Sequence, residues 1–207
     1  MAMQLVPFDA VLVDRMVELA HLPWSLRAFE DAFARNGWRD GEDPEAPGVG
    51  WEEPWWLGGD ELVDDRWLLL GEAPGCRRRT DDPTVVCDHP DCRTGAYVEY
   101  PFAYFTDPDD PAEWDNEFGP FHSRPDVDPE ATADDLAARY ERVAGMLRAR
   151  LGDPLPEGAY RHPEDERTVY RCLAWERGHS WVLLIVADDP ITYGAYDRAG
   201  IQVRPRA

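Results

Sequence analysis

The longest run of helical periodicity lies between Pro129 and Gly152. Leu136, Tyr140, Val143, Leu147 and Leu151 recur every three or four residues, which makes one apolar stripe on a helix. Pro129 suits a first helical turn, where its missing N–H is no loss. Thr132 and Asp135 stand at the spacing of a capping pair. Gly152 followed by Pro154 supplies the stop. Arg148 and Arg150 fall in the last turn, where the helix dipole favours cations. Asp134, Arg139, Glu141 and Arg142 are expected on the solvent face.

After that helix the period changes. Thr168–Trp175 is rich in β-branched and aromatic residues and reads as a strand. The segment Glu176-Arg177-Gly178-His179 reads as a tight turn with glycine in the left-handed position. Trp181–Ala187 is apolar at odd and even positions alike, so it predicts a central strand covered on both faces. Asp188-Asp189-Pro190 breaks it. Ile191–Tyr196 and Ile201–Val203 supply a third strand, interrupted around Ala199-Gly200.

The first half repeats this plan loosely. Val11–Ala20 predicts a short helix that ends at His21-Leu22-Pro23. Ser25 is an N-cap for a second helix, with Leu26, Phe29 and Phe33 as its stripe. Asn36-Gly37 closes that helix, and Trp38 packs back on it. Arg66–Gly71, Thr84–Cys87 and Ala96–Phe105 read as strands, Pro101 placing the last at a sheet edge or a bulge. The fold class is α+β: two helix-plus-three-strand halves, with a mostly antiparallel sheet packed on the long helix. The expectation is one domain over residues 1–207, with sub-halves 1–117 and 126–207 joined by an acidic, proline-rich linker.

Charge changes the picture more than composition does. The chain has 42 acids against 21 bases, a net charge of −21 at pH 7. Every base is arginine, a bias that points to a GC-rich bacterial genome of actinobacterial type. Such a surface repels phosphate backbones and anionic lipid, which argues against nucleic-acid or membrane partners and for a basic protein partner. Met1–Phe8 has neither a basic leader region nor a long apolar core, so a secretory signal is not expected. No window approaches a membrane span. Bacterial cytoplasm is the expected compartment, and the four cysteines are expected to be reduced there.

The acids are not spread evenly. Asp40–Asp65 holds ten acids and no base, interleaved with Gly, Pro and three tryptophans. Thr106–Glu117 adds Asp107, Asp109, Asp110, Glu113, Asp115 and Glu117 around Trp114. Acid-rich loops are ordinarily just solvated. Tryptophans inside them either pin the loop to the body or anchor a partner, since Trp is enriched at interfaces. The expected partner-binding residues are therefore Trp51, Glu52, Glu53, Trp55, Trp56, Asp60, Glu61, Asp64, Asp65, Asp109, Asp110 and Trp114.

One other cluster carries chemistry. Cys76, Cys87, His89 and Cys92 have the ligand set of a closed, structural zinc site. Their spacing lacks a CxxC pair, and cysteines also serve as plain buried residues, so the cofactor expectation is none, with zinc as the alternative. Cys172 lies in a predicted strand and reads as core. There is no glycine-rich phosphate loop, no G-x-S-x-G and no HExxH. The five histidines are scattered, and the adjacent acid pairs do not form a cleft-spanning carboxylate pair. No catalytic residue is assigned and an enzyme is not expected.

Leu22-Pro23-Trp24-Ser25 through Gly37-Trp38, followed by a late helix and the strands carrying Trp175 and Trp181, resembles small uncharacterised actinobacterial proteins. Some of those are similar to immunity proteins of toxin systems. The resemblance spans about a third of the chain and rests on structural Trp and Gly positions. It implies a non-enzymatic acidic binding protein, an immunity or antitoxin-like inhibitor of a basic toxin or nuclease. A chaperone-like protein that holds a client, and a zinc-stabilised regulator or enzyme, are the two alternatives.

Overall fold

The computed structural model describes residues 2–40, 55–56, 67–71, 96–106, 127–161, 169–188 and 196–206. The elements run β1 (Ala2–Leu5), α1 (Ala10–Leu19), α2 (Leu26–Arg35), β2 (Arg39–Asp40), β3 (Trp55–Trp56), β4 (Trp67–Leu70), β5 (Val98–Thr106), β6 (Val127–Asp128), α3 (Ala133–Leu151), β7 (Val169–Arg177), β8 (Ser180–Asp188) and β9 (Asp197–Pro205). The sheet order is β2-β3-β4-β5-β9-β8-β7, antiparallel at every junction. The α+β class with an antiparallel sheet against a long helix is thus as the sequence predicts. Since β9 pairs with β5, strands from both stretches of the chain share one sheet.

The long helix forms where its caps dictate. Thr132 and Asp135 complete a reciprocal capping box: the Thr132 N–H donates to Asp135 Oδ2 at 2.9 Å, and the Asp135 N–H to Thr132 Oγ1 at 3.3 Å. The Thr132 hydroxyl also donates to Asp135 Oδ2 at 2.6 Å, and this bond, with that from the Thr132 N–H, holds the Asp135 carboxyl below its ordinary range. Gly152, with φ 79° and ψ −163°, ends the helix in a positive-φ conformation that L side chains rarely adopt. Tyr140, Val143, Leu147 and Leu151 are buried as the stripe requires. The helix starts at Ala133, not Pro129, which lies in the preceding turn. Arg139 also departs from the predicted solvent face. It is half-buried and donates Nε to Phe102 O at 3.1 Å and Nη2 to Val6 O. The Val6 carbonyl, just past β1, and the Phe102 carbonyl on β5, which also accepts from the Val6 N–H at 3.1 Å, draw the guanidinium inward.

The strand β8 is central and covered on both sides, as its two-sided apolar pattern predicts. Val182 and Leu184 join the main core, while Leu183, Ile185 and Ala187 face a second cluster with Leu155 and Tyr160. The β7–β8 hairpin turns at Gly178, φ 54°, with Arg177 opposite Ser180. Buried Ser180 accepts a 2.8 Å hydrogen bond from Trp24 Nε1, which ties the hairpin to the start of α2. From there Trp24, Phe29, Phe33 and Trp38 form a continuous line of rings with centroids 4.8 to 6.1 Å apart. Trp38 packs back as expected.

Three differences concern strands. Strand β9 runs unbroken through Ala199-Gly200, where an interruption was expected. Residues 191–195 and the predicted strand Thr84–Cys87 lie outside the described residues. Pro101 sits at a bulge as expected, but within a central strand: β5 pairs with β9 on one flank and with β4 and β1 on the other. On that second flank β4 covers 98–99 and β1 covers 103–106, so Pro101 falls in the gap where no ladder bond is needed. Strand β1 itself, four residues long, has too short an alternation to be legible.

Candidate functional site

Most of the predicted partner-binding residues lie outside the described residues: Trp51, Glu52, Glu53, Asp60, Glu61, Asp64, Asp65, Asp109, Asp110 and Trp114. So do the proposed zinc ligands Cys76, Cys87, His89 and Cys92. Among the described residues there is no group of three or more His, Cys, Asp or Glu placed to hold a metal ion. Trp55 and Trp56 are placed by their backbone. They form β3, with Trp55 opposite Asp40 and Leu68, and Trp56 opposite Arg39 and Trp67.

The topology nevertheless fixes where the two acid-rich stretches attach. The first enters from β2, passes through β3 and leaves into β4. The second leaves from Thr106 at the end of β5 and returns at Val127 in β6, which pairs with β1. Residues 103–105 of β5 pair with both β1 and β9, so β1 must lie on the flank away from β9, where β4 also lies. Both acid-rich stretches are therefore tied to one flank of β5, and β9, β8 and β7 lie on the other.

The described residues hold one buried charged network, on the sheet face opposite α3. Arg198, Gly200, Gln202 and Arg204 alternate along β9 and share that face. Glu99, fully buried on β5, is opposite Gln202. Its carboxylate accepts from Arg198 Nε at 2.7 Å, Arg198 Nη2 at 3.0 Å and Gln202 Nε2 at 2.9 Å. Arg204 Nη1 donates to Gln202 Oε1 at 3.3 Å. Gly200 is needed beside it: a Cβ there would lie 2.5 Å from Glu99 Oε1. A two-point arginine fork on a carboxylate in a dry setting is strong and directional. With three donors already on its oxygens, the Glu99 side chain is committed to tying β5 to β9. The sequence signal for this network is a polar residue or glycine at every second position from Arg198 to Arg204.

Cys172 is half-buried on β7 beside a groove of about 350 Å³ that Leu155, Tyr160 and Tyr170 also line. Burial pushes its thiol up to about 12, against the opposing pull of Arg204. It is protonated at neutral pH and inert as a nucleophile, in keeping with a core role.

Compared with protein-family models, curated proteins and solved structures, the chain matches none. No helix among the described residues is long and apolar enough to cross a membrane.

Proposed function

We propose that the protein is a non-enzymatic acidic binding protein, an immunity or antitoxin-like inhibitor that engages a basic toxin or nuclease in the bacterial cytoplasm. The observation that carries this reading is the clustering of acids and tryptophans in two stretches of sequence, whose flanking strands β4, β1 and β6 lie to one side of β5. The two stretches contribute ten and six acids and no base, which is −16 of the net −21. Clustered acids steer a cationic partner and can occupy a site evolved for phosphate. Trp51, Trp55, Trp56 and Trp114 are interleaved with those acids and supply apolar anchors that set the off-rate once the partner has arrived.

The test begins with a partner captured from a native host and purified. Its association rate is then measured by surface plasmon resonance between about 50 and 300 mM salt, a range that progressively screens surface charge. The rate should fall with salt. Asp64→Arg combined with Asp65→Arg should slow association and flatten the salt dependence without lowering the melting temperature. Trp55→Ala should speed dissociation. A partner whose association is indifferent to salt would reduce the acids to a solubility feature and end this reading.

A further inference from the structure

Strand β7 ends the sheet order, and among the described residues it pairs with β8 alone. An open strand edge is a template for a further strand unless something covers it. Here the cover is partial. The Leu155 N–H donates to Ala174 O at 2.8 Å, so Leu155 closes that position of the edge. The same bond shows which way the strand's polar groups point. Along an antiparallel strand, alternate residues direct both backbone groups to the same side. The register from Cys172 to Ala174 is regular, so Cys172 also turns its N–H and C=O away from β8. Among the described residues no backbone group meets either one.

The groove of about 350 Å³ beside Cys172 follows this edge. Residues 170–174 line it consecutively, and they belong to both faces of the sheet; residues 155–158 and Tyr160 form the other wall. Tyr170 is 57% exposed and Arg171 beside it is exposed, so solvent reaches the edge at that end. Two charged side chains line the groove. Arg171 is committed: its Nη2 donates to Glu141 Oε1 at 2.7 Å, and its guanidinium carbon lies 3.9 Å from the Tyr140 ring centroid. Glu157 is exposed and has no ion pair among the described residues. Beyond Tyr170 stand two more acids, directly opposite each other on β8 and β9. The Tyr170 hydroxyl donates to Asp188 and lies 3.3 Å from Asp197 Oδ1. Against these stands Arg161, next to Tyr160 in the chain and not among the lining residues. The apolar part of the groove is Leu155, Tyr160 and Cys172, which pack on the second core cluster.

We propose that the β7 edge at Cys172 is a docking site for an extended basic peptide segment, which adds to the sheet as a further antiparallel strand. The central residue of that segment exchanges two backbone hydrogen bonds with Cys172. Its side chain falls on the face of Cys172 and is received by Leu155 and Tyr160, so it is apolar. The residues on either side of it carry the positive charges that Glu157 and the Asp188–Asp197 pair attract. In this mode the main chain supplies affinity and the alternate side chains supply specificity. The site is at the far end of the sheet order from β2, β3 and β4. It stands whether or not the acid-rich stretches bind a toxin.

The test must separate strand addition from plain attraction between a basic peptide and an acidic protein. Acetyl-Arg-Lys-Val-Lys-Arg-amide is titrated into the full chain by calorimetry and should bind saturably, one per chain. The same peptide methylated on the valine nitrogen keeps every charge and loses the donor to Cys172 O. It should bind about tenfold more weakly, the worth of one backbone hydrogen bond. Acetyl-Glu-Glu-Val-Glu-Glu-amide should not bind. Glu157→Arg should weaken binding of the basic peptide with the melting temperature unchanged, since Glu157 is exposed. Hydrogen exchange read by mass spectrometry locates the site without a variant: the basic peptide should slow exchange in residues 169–174. No saturable binding, equal affinity of the methylated peptide, unchanged exchange in residues 169–174, or undiminished binding by Glu157→Arg would each overturn the proposal.

Discussion

Replacing Gly200 by alanine tests whether the buried Glu99 network is as rigid as its geometry implies. The new Cβ would stand 2.5 Å from Glu99 Oε1, 3.0 Å from its Cγ and 3.1 Å from its Cδ. Ordinary contact begins near 3.4 Å, so the carboxylate must retreat by about 0.9 Å. A surface glutamate would do so at little cost. Glu99 is fully buried and held by three hydrogen bonds of 2.7, 2.9 and 3.0 Å. A shift of that size carries at least one of them beyond hydrogen-bonding distance. Disrupting a buried ion pair costs about 3–5 kcal/mol. Alanine returns about 0.5–1 kcal/mol by restricting the unfolded chain, which leaves a net loss of roughly 2–4 kcal/mol. For a chain of this length, at about 2–4 °C per kcal/mol, the melting temperature should fall by about 4–16 °C. Thermal and urea unfolding followed by near-UV circular dichroism would read it. The control is the same substitution in a Glu99→Ala background, where the clash is gone and Gly200→Ala should be neutral or stabilising. An equal loss in both backgrounds, or a Gly200→Ala variant as stable as the parent, would refute the reasoning.

Three further outcomes are expected. Leu147, fully buried on α3 in the main core, should cost about 2–5 kcal/mol as Leu147→Ala in urea unfolding, from lost contacts and the residual cavity. The Cys172 thiol has an ordinary value of 9.0 and is pushed up to about 12 by burial. Its raised value adds stability that is complete below pH 9 and declines as pH rises toward 12, so Cys172→Ala should flatten the alkaline loss of stability measured over that window. Tyr140, also raised by burial and donating to Leu184 O at 3.0 Å, acts in the same direction. Protein purified without a histidine tag should contain no stoichiometric zinc, and about one zinc per chain by elemental analysis would instead assign Cys76, Cys87, His89 and Cys92 as ligands.

Local chemistry by itself determined a good deal. The α3 stripe, its Thr132–Asp135 box and its Gly152 stop are readable because helix period and capping act over three or four residues. The same holds for Ser25 at the start of α2, for the turn at Gly178 and for the two-sided burial of β8. The candidate partner residues were legible only as composition, since clustered acids and tryptophans show in any window of sequence. What the tertiary structure decided were the meetings of residues far apart in the chain. Glu99 finds Arg198 across 99 positions, and Gly200, which reads as a break, is the space that lets the carboxylate lie there. Arg139 reads as a solvent-face residue, yet it turns inward because the carbonyls of Val6 and Phe102 lie within its reach. Phe8, Arg15 and Trp38 look unrelated in sequence and share a groove only once α1 and the residues flanking α2 have packed. The common cause is that hydrogen bonding and burial within a turn or strand depend on near neighbours. The partner of a buried charge depends on register and crossover, which no local pattern encodes.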